Sequence, residues 1–120
     1  MFFNRLNKTW LIDIDGTIVF HAGLENNGYD VLLKNVKETF QTIPKCDKII
    51  LLTARSNQYE KETKKFLIEN NIRFDDIIFN LGTGERILIN DKKPSGYITA
   101  YAESVERNVG INLDLVKKYI

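Results

Sequence analysis

Short apolar runs alternate along this chain with amphipathic stretches, and that alternation dictates a mainly parallel sheet covered by helices, because parallel strands need long crossovers that helices supply. The runs are Thr9 to Asp13, Lys48 to Thr53, Phe74 to Phe79 and Arg86 to Asn90, with Tyr97 to Ala102 as an edge strand. Ile49-Ile50-Leu51-Leu52 is unbroken and reads as a strand buried on both faces. Between the runs, Asp30 to Thr42 sets Val31, Leu32, Val36, Thr39 and Phe40 at helical spacing, keeps Lys34, Lys37 and Glu38 off that stripe, and stops before Pro44. Ser56 or Asn57 caps the next helix, whose stripe holds Tyr59, Phe66 and Leu67 and which Asn70-Asn71 ends. A last helix runs from Leu113 to Tyr119. Phe20 to Tyr29, with Gly23, Asn26, Asn27 and Gly28, suits a hairpin or flap and is too short to be a domain. Residues 1–120 therefore read as one α/β unit.

Composition removes several function classes. Hydrophobic content of 43%, charged content of 28% and a net charge of +1 give no electrostatic reason to expect nucleic acid or a membrane surface. No apolar run approaches the roughly 20 residues needed to span a bilayer. The first eight residues, Met1 to Lys8, lack the uninterrupted apolar segment of a signal peptide, so the expected location is cytoplasmic. Cys46 is the only cysteine, which excludes an intrachain disulfide and a thiolate metal cluster; before an apolar strand, a half-buried thiol is its expected role. His21 is also alone, and no serine sits in a Gly-x-Ser-x-Gly elbow, so histidine-based hydrolysis is disfavoured and His21 is placed in a flap or loop.

The chemistry is expected at Asp13-Ile14-Asp15-Gly16-Thr17. Alternate residues of a strand share a face, so Asp13 and Asp15 would point the same way, and Gly16 allows the chain to turn directly after them. Two acidic groups and free loop amides at a strand's carboxyl end can hold a divalent cation and a phosphate together. Two later runs also end in polar groups, Thr53-Ala54-Arg55 and Asn90-Asp91. In an open parallel sheet ligands sit beyond the carboxyl ends of the strands, so one cleft would gather three carboxylates, a hydroxyl and loop amides. Oxygen ligands of that kind suit Mg²⁺.

This pattern resembles the haloacid dehalogenase (HAD) superfamily of phosphohydrolases, on Asp13-x-Asp15-Gly16-Thr17, then Thr53, then Asp91, in the family's order and over roughly residues 10–91. The resemblance implies a three-layer Rossmann-like core with a mainly parallel sheet. It implies that Asp13 is the nucleophile that forms an aspartyl-phosphate, and that Asp15 protonates the leaving oxygen and then activates water. Gly16, Thr53 and Ala54 would hold the phosphoryl oxygens. Asp13, Asp91 and Asp15, the last through its backbone carbonyl, would bind Mg²⁺.

The chain departs from the family at two places. Asn90 stands where a second acid or a glycine commonly precedes the metal-binding aspartate. The stretch Leu81-Gly82-Thr83-Gly84-Glu85-Arg86 lacks the family's phosphate-steadying lysine, for which Arg86 is the substitute and Arg55 the runner-up. Neither gap between motifs can hold a cap domain, so the chain is similar to capless members, including phosphatases of bacterial capsule and surface-polysaccharide biosynthesis. Those act on sugar phosphates, and the similarity extends through Lys93-Pro94 to Glu106-Arg107-Asn108, which makes Arg107 a candidate substrate contact. The expected activity is Mg²⁺-dependent phosphomonoester hydrolysis of a small phosphorylated substrate, with no nucleic-acid or membrane partner and homo-oligomerisation left open. The alternatives are a non-catalytic HAD-like binding module, or a phosphotransferase or mutase using the same aspartyl-phosphate.

Overall fold

The computed structural model describes residues 6–120, so the reading of Met1 to Arg5 lies outside the described residues. Three parallel strands, β1 (Thr9–Asp13), β2 (Lys48–Leu52) and β3 (Asp76–Ile78), form one sheet in the order β1-β2-β3. Asp13 pairs with Leu52 and Leu52 with Ile78, so the carboxyl ends of all three strands lie level. Four short helices accompany them: α1 (Gly23–Asn27), α2 (Val36–Gln41), α3 (Glu60–Glu69) and α4 (Leu113–Lys117). The coarse α/β expectation is met, with a parallel sheet of three strands.

Alternation explains β2. Ile49 and Leu51 are wholly buried while Ile50 and Leu52 are half-buried, so one face carries the core and the other is only partly covered, rather than both being sealed. Ile49 and Leu51 join Ile14, Ile18, Val36, Phe40, Leu67, Ile77 and Val116 in a single apolar cluster. Buried Asp47 ties the starts of β1 and β2 together: one carboxylate oxygen accepts the Lys8 amide and the other the Trp10 indole N–H, each at 3.0 Å. Beside it Cys46 is exposed, not half-buried, because the chain turns outward to let Asp47 point in.

Residues 30–42 do not form one long helix. The Phe20 amide donates to the Val31 carbonyl (3.0 Å) and the Leu33 amide to the Ile18 carbonyl (2.9 Å), so residues 31–33 are committed to a hairpin base and helix begins only at Val36. The flap expected at Phe20 to Tyr29 is the tip of that hairpin, folded into the single turn α1. Ser56 makes no side-chain cap; a short 3₁₀ turn at Asn57–Tyr59 leads into α3 instead. Asn71 stops α3 in the left-handed region at φ 58°, as its Asn-Asn sequence predicts.

Two expected strands are absent. Arg86 to Asn90 is irregular and exposed, with Ile87 and Ile89 83% and 90% accessible, and Tyr97 to Ala102 is also without strand structure. Side chains, rather than a backbone ladder, link these segments. The Asn90 amide donates to the Thr99 hydroxyl at 2.7 Å, and that hydroxyl donates to the Asp91 carbonyl at 2.6 Å. A β-rich composition becomes a strand only beside a backbone edge that pairs with it. The outer edge of β1 has no ladder partner among the described residues. No helix among the described residues is long and apolar enough to cross a membrane.

Candidate active site

A cleft of about 360 Å³ opens at the level carboxyl ends of the strands and is lined by Asp13, Asp15, Ala54, Arg55, Arg86 and Arg107, with His21, Glu25, Tyr59 and Thr83 around them. Its size suits a small molecule. The turn after β1 builds the centre. Gly16 takes φ +85°, and the amides of Thr17, Ile18 and Val19 all donate to the Ile14 carbonyl while the Gly16 amide donates to that of Val19. The loop amides expected to face a phosphate are therefore consumed within the turn at Gly16 to Val19.

Asp13 faces the cleft half-covered. Its Oδ1 accepts from Arg86 Nη1 at 3.2 Å and its Oδ2 from the Thr17 hydroxyl at 3.3 Å. Burial raises the Asp13 carboxyl above its ordinary value, against the pull of Arg86 and with a push from the charge of Asp15. Arg86, placed by sequence as the substitute cation, stands on the nucleophile candidate.

Asp15 is held from both sides. Thr53, fully buried, donates its hydroxyl to Asp15 Oδ2 at 2.8 Å, while Arg55 donates from Nε to Oδ1 at 3.0 Å. Thr53 thus serves Asp15 and does not line the open cleft, whereas Ala54 does. Arg55 is only 5% exposed, and its remaining donors go to Asp30 (3.0 and 2.7 Å) and to the Thr63 hydroxyl (2.8 Å). Burial works against its charge, but the hydrogen bonds to Asp30 and Asp15 outweigh that and raise its pKa. With its donors spent on those partners, Arg55 does not serve as the free phosphate-steadying cation. Asp30 and Thr63 were not singled out by sequence, although an arginine directly after a buried strand end requires a counter-charge, and that requirement is a usable signal.

Asp91 stands outside this group. It is exposed and does not line the cleft, because the strand that would have carried it to the carboxyl end of the sheet is not formed. Among the described residues, no three histidine, cysteine, aspartate or glutamate side chains converge as a metal site. The arrangement brings Asp13 and Asp15 together without the third carboxylate, so as it stands it does not fit a Mg²⁺ bound by Asp13, Asp15 and Asp91.

No family model and no curated protein matches the chain. A solved structure titled "Structure of Pnkp1/Rnl/Hen1 complex" is similar to it, with a TM-score of 0.52 and 25% identity. The match covers 69% of this chain and 31% of that one, so the chain spans about a third of the neighbour's length. The likeness agrees with an α/β fold over the shared part.

The arginine accounting at the cleft is uneven. Arg55 is saturated, Arg86 faces Asp13, and Arg107 has no carboxylate partner among the described residues. Its side chain lies along the turn, with Cγ 3.1 Å from where a Cβ on Gly16 would stand, which gives Gly16 a second reason to be glycine.

Proposed function

We propose that this chain is a capless phosphatase of the HAD type, hydrolysing a small phosphomonoester through an aspartyl-phosphate on Asp13. The observation that supports it most is the pairing of roles at the cleft: Asp13 opens to it with a guanidinium at 3.2 Å, while Asp15 is fixed from both sides by Thr53 and Arg55. In the first step a carboxylate oxygen of Asp13 bonds to phosphorus as the bond to the leaving oxygen breaks, and Asp15, which must enter this step protonated, gives that oxygen its proton. In the second, water attacks phosphorus, Asp15 takes the water's proton, and the Asp13–phosphorus bond breaks to release phosphate. A carboxylate approaching an anionic phosphate meets repulsion, and Arg86 offsets it.

Mg²⁺ is the cofactor this reading calls for; Asp13 and Asp15 are the carboxylates at the cleft that would hold it, without Asp91, and it would add further charge compensation at the phosphate. The finer fold that accompanies it is a three-layer Rossmann-like core. A sugar phosphate of surface-polysaccharide metabolism is the proposed substrate, in the cytoplasm, and a second copy of the chain could cover the open cleft in place of a cap.

Phosphate release from sugar phosphates, nucleotides and an aryl phosphate, with Mg²⁺ or with EDTA, tests the reading. Wild-type activity should require Mg²⁺, and Asp13→Asn should lower kcat by at least about 10³-fold, as loss of a nucleophile does. The dispersed third carboxylate favours one competing reading, a non-catalytic module that binds a phosphorylated ligand. Folded protein that releases no phosphate from any substrate would establish that alternative over the enzyme.

A further inference from the structure

We propose that the cleft takes a substrate with two anionic groups, one facing Asp13 and Arg86 and the second held by Arg107. The inference rests on the phosphatase reading for the identity of the first group, but the second is argued from Arg107 alone. The chain beside Arg107 is anchored. The amide of the next residue, Asn108, donates to the Gly16 carbonyl at 2.8 Å, and the Asn108 side-chain oxygen accepts the His21 amide at 2.8 Å. Residues 107–108 are therefore stapled to the turn after Asp15 on one side and to the base of the flap on the other. Two long-range hydrogen bonds, both made by the adjoining Asn108, hold the chain beside an exposed arginine against the turn that follows the cleft aspartates and against the flap.

The side chain then runs over Gly16, with Cγ, Cδ and Nε within 3.1 to 3.8 Å of a Cβ built there, and reaches the cleft wall. What it lacks among the described residues is a counter-charge. Glu25 lines the same cleft but forms no ion pair with it, whereas Arg55 and Arg86 both have carboxylate partners. A guanidinium whose neighbouring backbone is anchored, which lines a cleft and has no ion-pair partner among the described residues, offers a planar fork matched to carboxylate and phosphate oxygens. A monoester whose only charge is its phosphoryl group leaves that fork empty. A phosphorylated acid or a bisphosphate fills it.

Binding isolates the subsite from turnover. Calorimetric titration at fixed free Mg²⁺ compares methylphosphonate, phosphonoacetate and methylenebisphosphonate, on wild type, Arg107→Met and Arg107→Lys. Wild type should bind at least one of the two bis-anions tenfold or more tightly than methylphosphonate; phosphonoacetate reports a carboxylate as the second group, and methylenebisphosphonate a phosphate. Arg107→Met should bring that ratio close to one, and Arg107→Lys should keep part of it. Equal binding of all three by wild type, or a preference that survives in Arg107→Met, would overturn the inference. The same three proteins assayed on glycolate phosphate and ethyl phosphate separate the two claims. Preference without any phosphate release leaves the subsite and removes the phosphatase, and release without preference does the reverse.

Discussion

Arg55 shows how a single buried charge organises the site. It ties Asp15, from the turn after β1, to Asp30, from the end of the flap, and to Thr63 on α3, so three distant stretches of chain meet on one guanidinium. Breaking such a group leaves two carboxylates without compensation, and Arg55→Met should cost about 3–5 kcal/mol of stability. Urea unfolding followed by circular dichroism would read this as a lowered midpoint with little change in slope. Asp13 makes the opposite contribution. Burial holds its carboxyl above the ordinary value of 3.8, so the folded state grips the proton more tightly than the unfolded one and stability declines as pH rises through that window. The penalty is absent below the ordinary value and complete above the raised one. Asp13→Asn should therefore match wild type near pH 3.5 and exceed it modestly at pH 7, the gain kept small by solvent screening of a carboxylate 35% exposed. Urea midpoints at the two pH values check it.

Elements were legible in the sequence where their causes are local. The β1 and β2 runs, the turn at Gly16 and the Asn-Asn stop of α3 each follow from residues within a few positions of one another. Residues 31–33 carry a helical spacing but are not helix, because their hydrogen-bond partners lie at 18–20, outside any helical window. Arg86–Asn90 differs for the converse reason: its composition suits a strand, but strand structure needs a pairing partner, and the open edge of β1 is not paired with it. Asp13 can be named in advance from the chemistry of paired carboxylates at a strand end, and Arg86 only as the stand-in for the lysine that the family resemblance calls for. Asp30 could not, since nothing near it in the chain mentions Arg55. Hydrogen exchange followed by mass spectrometry should find the amides of Ile87, Leu88 and Ile89 almost unprotected while those of Ile49 and Leu51 are among the slowest. If the three-layer core forms with ligand, Mg²⁺ and a phosphate mimic should slow the first set toward the rate of β1. Fast exchange in both conditions would leave the three-stranded sheet as the whole of it.

At the scale of the molecule, an ordered sheet with level strand ends faces a carboxyl-terminal third that is largely irregular. That third, without regular structure from residue 79 to 112, supplies Thr83, Arg86 and Arg107 to the cleft. The sheet and the turns at its strand ends fix the aspartates and Arg55, and the irregular chain brings Arg86 and Arg107. One length within it sets a limit on what the cleft can hold at once. Were residues 86–90 extended along β1 so that Asp91 reached the carboxyl end, Arg86 would lie about 16 Å back toward the amino end, at roughly 3.3 Å per residue. That is further than an arginine side chain spans. The segment is a ruler with a guanidinium at one mark and a carboxylate at another, and only one mark at a time can be laid against Asp13.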